Sequence, residues 1–493
     1  MSTKLSSQAS SSIIIEDNLW ATIVGAAHLA NEALSYRPRG FQFSPSYKSG
    51  KWDGTVHMLK HQDSGYAFPA GLLQYVQDYL AVRGVTPEIV DQRVKPSPTV
   101  IIFSNKPKVT LDDHQSEAVE ALIAGERGVV YYPTGTGKTI IMGETIRRLR
   151  VPTIVLCGTK VLLRQLHTEL ERLTGAPVGI IGDGAWEPRV LTVAMFQSLS
   201  YRLRGRKDRH PKENKELRDE TLATLAVFQC AVADEGHHTE APTFEAVMKA
   251  LPNAYYRYAF SATPFKSGRN EDRETLLRVQ GWTGPVVSYL SISAGVRTGR
   301  IVPTDMFVVH YQAEKQDGPP PFNYIEEVDA YIVHASARND LICRLAGALS
   351  RRGPTVVIVD RLEHGEYLAL NLRRPFIHGS VKSSERESTW RRFREGKLNL
   401  VIVSKIGDEG LDLPQVKFLV LAGGGKAQHR QVQRLGRGMR AVDGKDRLIA
   451  FDFADEGGKY LPKHYRSRHR LYEREAAYTL TDLSAVDLEE MLQ

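Results

Sequence analysis

A glycine-rich segment lies between an apolar run and a helix-compatible run, and its residue types are those that hold phosphates. It reads Tyr132-Pro-Thr-Gly-Thr-Gly-Lys-Thr139, with tyrosine where the strict pattern has glycine. Glycines let backbone N–H groups approach phosphate oxygens, Lys138 reaches the terminal phosphates, and the Thr139 hydroxyl suits magnesium. The segment therefore predicts a site for ATP and Mg²⁺, and the alternative is a chance glycine-rich turn. The predicted phosphate loop comprises Thr134, Gly135, Thr136, Gly137, Lys138 and Thr139.

Two acidic residues follow a second apolar run. The chain reads Cys-Ala-Val-Ala from position 230 and then Asp234-Glu235-Gly236-His237. Carboxylates at the end of a buried strand are costly unless they have a task. Asp234 suits the magnesium ion and Glu235 suits orientation of the attacking water, which together meet the needs of phosphoryl transfer. A solvated loop is the plain alternative.

Two further motifs follow along the chain. Ser261-Ala-Thr263-Pro comes after an apolar run, and Gln433-Arg-Leu-Gly-Arg437-Gly-Met-Arg440 comes late in the sequence. Residues three apart on a helix share a face, so Arg437 and Arg440 could both reach a γ-phosphate and contribute to catalysis. An arginine-rich helix is also compatible with a solvated surface.

The elements that must position these motifs alternate in type. From residue 128 to residue 455, short β-branched runs alternate with longer helical stretches, in two series that join near residues 299–304. This alternation is typical of parallel, doubly wound sheets, whose ligands bind beyond the carboxyl ends of the strands. The first hundred residues break the pattern with the stretch FSPSYKSGKWDG, at 43–54. We therefore expect an α/β protein with a separate small α+β domain before two parallel-sheet domains.

The bulk composition agrees with a multidomain globular protein. The chain has 493 residues, of which 42% are hydrophobic and 25% charged, and its formal net charge is +8. A modest basic excess is compatible with a polyanionic partner. The three cysteines form no Cys-x-x-Cys pair, and no stretch has the length of a membrane span, so we expect a cytoplasmic protein without membrane association.

In order and spacing, the four motifs resemble superfamily 2 helicases, and the resemblance covers about residues 107–455. It implies two RecA-like domains and ATP hydrolysis driving movement on nucleic acid. It also implies that Gln115 reads the adenine, that Gly410 and Asp412 contact the nucleotide, and that four residues couple the sites: His237, Ser261, Thr263 and Gln433. Contacts to the nucleic-acid backbone are implied for Thr159, Lys160, Ser198, Arg361, Ser404 and Lys405.

Within that superfamily, two segments resemble the branch of XPB and the type III restriction subunits. They are SKIGDEGLDLP, at 404–414, and QVQRLGRGMR, which ends at Arg440. The segment FSPSYKSGKWDGTVHML followed by FPAGLL is similar to the small domain of phage UvsW-type recombination helicases. This second resemblance implies a remodeller of branched DNA. Lys48, Lys51 and Trp52 are the predicted DNA contacts, and burial of Trp52 in the small domain is the alternative.

The predicted organisation therefore has four parts. An accessory DNA-binding domain spans residues 1–106, motor domains span 107–303 and 304–456, and a helical extension spans 457–493. We expect an ATP-dependent DNA helicase that remodels forks, D-loops, R-loops or Holliday junctions, with single-strand-binding or recombination proteins as possible partners. A restriction-type translocating subunit, an RNA helicase and a catalytically silent clamp are the alternatives. Removal of residues 1–106 is expected to leave ATP binding intact.

Two basic stretches have a less defined role. Residues 202–215 suggest a flexible, solvated insertion, and residues 461–474 suggest a C-terminal helix that packs on the motor. Contact with DNA is an equal alternative for each stretch.

Overall fold

The structure is a computed structural model that describes residues 11–98, 109–205, 210–235, 241–262, 270–313, 320–404, 415–425 and 438–492, except positions 39, 64 and 443. These residues form two compact units. Unit 1 holds the described residues up to Tyr132 together with Gly137–Tyr289, and unit 2 holds Pro133–Thr136 and the described residues from Leu290 onward. The four-part division expected from the sequence is finer than this and stays a prediction.

The first part of unit 1 is a small α+β layer, as the sequence predicts. Its helices are Ala27–Ala33 (α1), Pro45–Lys48 (α2) and Leu73–Ala81 (α3). Its strands are Ser12–Ile15 (β1), Trp20–Val24 (β2), Ser35–Tyr36 (β3), Val56–His57 (β4), Lys60–Gln62 (β5), Gly65–Pro69 (β6) and Glu88–Asp91 (β7). Five of them form a sheet in the order β5-β6-β2-β1-β7, and β3 pairs with β4. We call this part the N-terminal layer.

The second part of unit 1 is an eight-stranded sheet. Its strands are Arg127–Tyr131 (β8), Thr153–Cys157 (β9), Val178–Gly182 (β10), Ala185–Glu187 (β11), Leu191–Met195 (β12), Cys230–Asp234 (β13), Tyr256–Ser261 (β14) and Val286–Tyr289 (β15). Their order is β11-β10-β12-β9-β13-β14-β8-β15, and every pair is parallel except the hairpin β10–β11. The flanking helices are Asp113–Gly125 (α4), Lys138–Leu149 (α5), Lys160–Thr174 (α6), Phe196–Arg204 (α7), Pro211–Leu225 (α8), Ala241–Lys249 (α9) and Asn270–Thr283 (α10).

Unit 2 contains a second, entirely parallel sheet of seven strands. They are Thr304–Tyr311 (β16), Thr355–Ile358 (β17), Phe376–Ile377 (β18), Leu400–Val403 (β19), Phe418–Leu421 (β20), Leu448–Asp455 (β21) and Tyr478–Ser484 (β22), in the order β18-β19-β17-β20-β21-β16-β22. Its described helices are Ile292–Arg297 (α11), Tyr324–Val328 (α12), Ser336–Arg352 (α13), Leu362–Leu372 (α14), Ser383–Arg394 (α15), Leu461–Glu473 (α16) and Ala485–Leu492 (α17). A short π-helix, Asp329–Val333, follows α12. The two sheets confirm the predicted tandem RecA-like α/β fold.

The hydrophobic core of the N-terminal layer includes residues of α10, a helix that flanks the eight-stranded sheet. Leu277 of α10 is buried together with Phe68 and Leu72 of the layer. The rings of Trp20 and Trp282 meet edge to face, with centroids 5.5 Å apart. A Cβ atom on Gly71 would lie 2.1 Å from the carbonyl oxygen of Gln280, so the backbone of the layer lies directly on α10. The described part of the layer is therefore integral to unit 1.

The end of the chain contains more than the predicted helices. Between α16 and α17, β22 pairs in parallel with β16 at the edge of the second sheet. In α16 the buried guanidinium of Arg468 donates to Asp452 over 2.7 Å, so this helix packs on the sheet as expected. The strand was not expected because its sequence, YTLTDLS, alternates only weakly and most of its residues remain at least partly exposed.

The basic stretch at 202–215 is more ordered than predicted where the structure describes it. Helix α8 begins at Pro211 within that stretch. The guanidinium of Arg202 stacks 3.7 Å from the ring centroid of Trp186 and donates to Glu220 over 2.6 Å. The prediction of a flexible insertion is therefore wrong for these residues. Among the helices that the structure describes, none is long and apolar enough to cross a bilayer.

Candidate nucleotide site

The phosphate loop connects β8 to α5, in the strand-to-helix context that the sequence predicts. Gly135 and Gly137 have φ angles of 93° and 88°, which glycine adopts more readily than residues with a Cβ atom. Gly137 is the N-cap of α5, and Lys138 and Thr139 begin that helix. The loop therefore leaves backbone N–H groups at a helix N-terminus, where phosphate oxygens are favoured. The hydroxyl of Thr136 donates to the carbonyl of Pro133 over 2.7 Å.

The acidic pair lies at the carboxyl end of β13, next to the phosphate loop. The Lys138 ammonium nitrogen is 3.3 Å from Oε1 of Glu235 and donates to the carbonyl of Tyr132 over 3.1 Å. Burial and the neighbouring Glu235 raise the pKa of Asp234 and Lys138 lowers it, with a net rise to about 7. The free site therefore holds one carboxylate that is paired with a cation and a second that is buried and basic. A divalent cation would favour the charged form of Asp234.

Glu235 has a backbone conformation that its sequence does not suggest. Its φ angle is 49°, in the left-handed region that a residue with a side chain seldom occupies. Its N–H donates to the carbonyl of Phe260 over 2.9 Å, and its carboxylate accepts the N–H of Ala262 over 3.1 Å. The end of β13 is thereby fixed to the segment that contains Ser261, which lies at the end of β14. The second and third motifs thus meet on adjacent strands.

Gln115 lies in the first turn of α4 and also contacts the loop. Asp112 and Gln115 form a capping box, in which the Gln115 N–H donates to Asp112 over 2.8 Å. A Cβ atom on Gly137 would lie 2.3 Å from Nε2 of Gln115, so only glycine allows this approach. The structure therefore brings together the predicted adenine reader, the phosphate loop and the acidic pair.

The remaining predicted nucleotide-site residues divide between the described and the undescribed parts of the chain. Arg440 follows Met439, whose carbonyl accepts the N–H of Val302, and it forms a β-bridge with Ile301 inside unit 2. A Cβ atom on Gly135, which belongs to the same unit, would lie 2.6 Å from the Arg440 side chain. The residues that lie outside the described part are His237, Thr263, Lys405, Gly410, Asp412, Gln433 and Arg437.

Most predicted backbone contacts for nucleic acid lie at the ends of strands or the beginnings of helices. Thr159 is the N-cap of α6, and the Lys160 ammonium pairs with Asp183 over 2.7 Å. Ser198 is half-buried in α7, and Arg361, at the N-cap of α14, lies 3.7 Å from Asp329. Ser404 is buried at the end of β19, with 5% of its surface exposed. These five residues keep their predicted roles as proposals.

The segment between β3 and β4 is a compact surface feature, which we call the N-terminal protrusion (residues 37–55). The rings of Phe41 and Tyr47 meet at 4.9 Å, and the Phe41 ring also covers Gly54. Lys48 and Lys51 are exposed on it. Trp52 is half-buried, and its indole N–H donates to the carbonyl of Thr55 over 2.7 Å. Trp52 is therefore neither fully buried nor free to turn outward without losing a hydrogen bond.

Two residues of interest were missed by the sequence analysis. Phe43, in the same protrusion as Lys48 and Lys51, is 71% exposed, and the aromatic stretch that contains it is the available signal. Tyr132 departs from the glycine pattern in the sequence, and it is buried next to the phosphate loop. A large polar side chain at a glycine position was the signal there.

Comparisons with known proteins agree with this fold. The family model of the type III restriction enzyme res subunit matches residues 108–266, and that of the ERCC3/RAD25/XPB C-terminal helicase matches residues 346–454. A putative DNA 3'-5' helicase Rad25 of Halobacterium salinarum is 30% identical over 380 residues, which cover 73% of this chain and 56% of that protein. The chain thus spans little more than half the length of that relative.

Two further likenesses cover more of the respective chains. The ATP-dependent DNA helicase uvsW of Enterobacteria phage T4 is 19% identical over 486 residues, which cover 90% of this chain and 91% of that protein. The S. cerevisiae Dbp5 structure with RNA and ADP BeF3 has a TM-score of 0.54 at 16% identity, covering 77% of this chain and 91% of that one; this likeness concerns the fold. The fold and the two family matches make the chain similar to superfamily 2 helicases of the branch of XPB and the type III restriction subunits. UvsW is a further protein that the chain resembles.

Proposed function

We propose that the chain is an ATP-dependent motor that acts on DNA as a helicase or translocase. The observation that carries the proposal is the arrangement in unit 1 of Lys138, Glu235 and the N–H of Ala262, with 3.3 Å between the ammonium and carboxylate groups and 3.1 Å between the carboxylate and the N–H. A non-catalytic clamp has no need for this set. The names of the Rad25 and uvsW relatives support DNA as the partner.

The proposed chemistry follows from what each group can do. Phosphates in the loop would compete with Glu235 for Lys138, which frees the Glu235 carboxylate to orient and deprotonate water. Asp234 and Thr139 would hold Mg²⁺, which neutralises charge on the phosphate oxygens. Arg437 and Arg440 would stabilise the charge that develops in the transition state.

We further propose that the substrate is branched DNA, such as forks, D-loops, R-loops or Holliday junctions. The N-terminal protrusion supports this because Lys48 and Lys51 can neutralise phosphates while the exposed Phe43 ring offers a surface for an unpaired base. Single-strand-binding or recombination proteins are the partners that such a substrate suggests. A cytoplasmic site of action accords with this proposal.

The test is the rate of ATP hydrolysis with single-stranded DNA, duplex, fork, four-way junction and RNA, compared at one stated salt concentration because contacts to phosphates depend on salt. We expect DNA to stimulate hydrolysis, with branched DNA the most effective and RNA the least. Equal stimulation by RNA and DNA would contradict the choice of DNA. No hydrolysis with any nucleic acid would contradict the motor itself.

A second candidate is translocation on duplex DNA without strand separation. The match of residues 108–266 to the type III restriction res subunit favours it. Release of one labelled strand from a fork separates the two candidates. A helicase releases the strand in the presence of ATP, whereas a pure translocase hydrolyses ATP on the same DNA and leaves it paired.

A further inference from the structure

Tyr132 occupies the first position of the phosphate loop, where the strict pattern has glycine. It is buried, with 2% of its surface exposed. Its hydroxyl donates to the carbonyl oxygen of His114 over 2.7 Å and accepts the hydroxyl of Ser288 over 3.1 Å. The side chain therefore connects the start of the loop to α4 on one side and to β15 on the other, within unit 1.

The backbone of Tyr132 is also part of the site. Its N–H donates to the carbonyl of Ser261 over 3.0 Å, and its carbonyl accepts the Lys138 ammonium over 3.1 Å. A displacement of Tyr132 would therefore also shift its contacts with Lys138 and Ser261. Any residue at position 132 could make these backbone hydrogen bonds, whereas the hydrogen bond to α4 requires the tyrosine hydroxyl.

The α4 contact falls next to Gln115. His114 directly precedes Gln115 in the first turn of the helix, and the Oε1 atom of Gln115 accepts the N–H of Asp112 over 3.2 Å. The Nε2 atom of the same amide lies against Gly137. The Tyr132–His114 bond thus joins the beginning of the phosphate loop to the turn that carries Gln115.

We infer that Tyr132 is a positioning residue whose hydroxyl holds the first turn of α4 against the phosphate loop, so that Gln115 can recognise the base of a nucleotide whose phosphates lie in the loop. This inference rests on the proposed ATP site and adds the residue that fixes its base-recognising part. Glycine at position 132 would preserve the loop but lose this connection.

The protonation state of Tyr132 supports this role. Burial raises the pKa of its phenol, although the Ser288 hydroxyl lowers it. The phenol therefore remains neutral at physiological pH and keeps the proton that it donates to His114. Loss of one hydrogen bond between buried neutral groups is enough to alter nucleotide affinity about fivefold.

The test compares Tyr132→Phe with a matched control on the same helix. The Tyr258 hydroxyl donates to the carbonyl of Leu122 over 3.0 Å, near the other end of α4, so Tyr258→Phe removes the same kind of bond away from Gln115. Binding of ADP and of GDP to the full chain is measured by calorimetry, and thermal unfolding of each variant is recorded. Tyr132→Leu removes the same hydroxyl if the phenylalanine variant does not fold.

We expect Tyr132→Phe to weaken ADP binding about fivefold while GDP binding changes less than about twofold, which narrows the preference for adenine. Tyr258→Phe should keep the wild-type ratio of the dissociation constants for GDP and ADP. The inference would be overturned if Tyr132→Phe left this ratio unchanged, or if both variants reduced the preference for ADP equally. It would also be overturned if the wild-type chain had no preference for ADP. A chain that prefers ADP yet hydrolyses no ATP would count against the proposed motor and leave this result standing.

Discussion

At the scale of single residues, the chemistry of the candidate site depends on Glu235. Its left-handed backbone directs the carboxylate back toward the end of β14, where it accepts the Ala262 N–H and pairs with Lys138. Such a conformation costs free energy and persists where surrounding contacts determine it. The hydrogen bond between the Glu235 N–H and Phe260 is one of those contacts. The backbone conformation of Glu235 and its contacts therefore fix the position of its carboxylate between Lys138 and the Ala262 N–H.

Glu235→Gln should retain ATP binding and lose hydrolysis. The amide oxygen can still accept the Ala262 N–H, but an amide cannot deprotonate water, so we expect the hydrolysis rate to fall by about 10²-fold or more. Binding by calorimetry and single-turnover hydrolysis measure the two effects separately. Glu187→Gln, an exposed change at the end of β11 in the same unit, is the control. Loss of nucleotide binding in Glu235→Gln would assign this residue a structural role instead.

The sequence predicts this site only in part, and the reason is geometric. The phosphate loop and the acidic pair are local motifs, so their types and order are legible along the chain. Tyr132 contacts residues that are 18 and 156 positions away in sequence, and spacing alone holds no information about such distances. The φ angle of Glu235 likewise results from its contacts with β14. These features could be found only once the strands were placed.

At the scale of elements, the sequence predicts those strands whose own residues form a clear pattern. It does not predict the strands that depend on contacts with residues far away in the chain. The strand Thr153–Cys157 can be recognised in the sequence because a fully buried parallel strand is a continuous apolar run. The edge strand Tyr478–Ser484 is hard to recognise in the sequence, because a strand at the edge of a sheet buries fewer side chains than a central strand. The short strand Val178–Gly182 contains two glycines, Gly179 and Gly182, that interrupt its apolar pattern. Edges and short strands depend on neighbours more than on their own residues.

The N-terminal protrusion is the element proposed to select branched DNA. Reversal of both charges, Lys48→Glu with Lys51→Glu, should reduce the preference for a four-way junction over single-stranded DNA, because two phosphate contacts become repulsive. Binding titrations at one salt concentration measure this. Lys382→Glu with Lys397→Glu changes the same charge at exposed lysines of unit 2 and is the control. An unchanged junction preference in the protrusion variant would remove this element from the proposal.

Helix α14 contains a buried histidine that makes unit 2 sensitive to acid. Asn339 donates its amide N–H to Val333 over 2.8 Å, so its Oδ1 atom faces His364 Nε2 at 2.9 Å and requires the neutral ring to donate from that nitrogen. Burial and the nearby Arg338 lower the pKa of His364 and Asp360 raises it, with a net fall to about 3. Protonation of the ring in the folded state is therefore unfavourable.

This lowered pKa predicts a loss of stability in acid. As pH falls from about 6.5 toward 3, the unfolded chain binds a proton at His364 that the folded chain does not, so stability is lost as pH falls, by about 2 kcal/mol at pH 5. The free energy of unfolding of unit 2 is measured at pH 7.5 and at pH 5.0. The decrease between the two pH values should be about 2 kcal/mol smaller in His364→Gln than in wild type. The exposed His334→Gln should behave as wild type. Equal pH dependence in wild type and His364→Gln would contradict the lowered pKa.

At the scale of the whole molecule, the packing in unit 1 leads us to a different prediction about modularity. The sequence suggests that residues 1–106 can be removed without effect on ATP binding. The described N-terminal layer, however, covers Leu277 and Trp282 of α10 within unit 1. Burial of a large apolar side chain contributes about 2 kcal/mol, so truncation should lower the stability of the rest of unit 1 by several kcal/mol.

Thermal and denaturant unfolding of a chain that begins at residue 107 test this correction. We expect a lower unfolding midpoint for the first motor sheet and weaker ATP binding at physiological temperature, because its core has lost one side. Wild-type stability and nucleotide affinity in the truncated chain would show that the layer is separable. Point substitutions in the protrusion are therefore the better probes of DNA selection, because they leave the packing of the layer on α10 intact.

We propose that ATP hydrolysis moves this chain along DNA. The most direct measurement is the ATP-dependent release of a third strand from a DNA triplex, because a moving motor displaces that strand whether or not it separates the duplex. We predict release by the wild-type chain with ATP and Mg²⁺, and none by Lys138→Ala, which lacks the loop cation. ATP hydrolysis on the same DNA without release of the third strand, or equal release by Lys138→Ala, would contradict the claim.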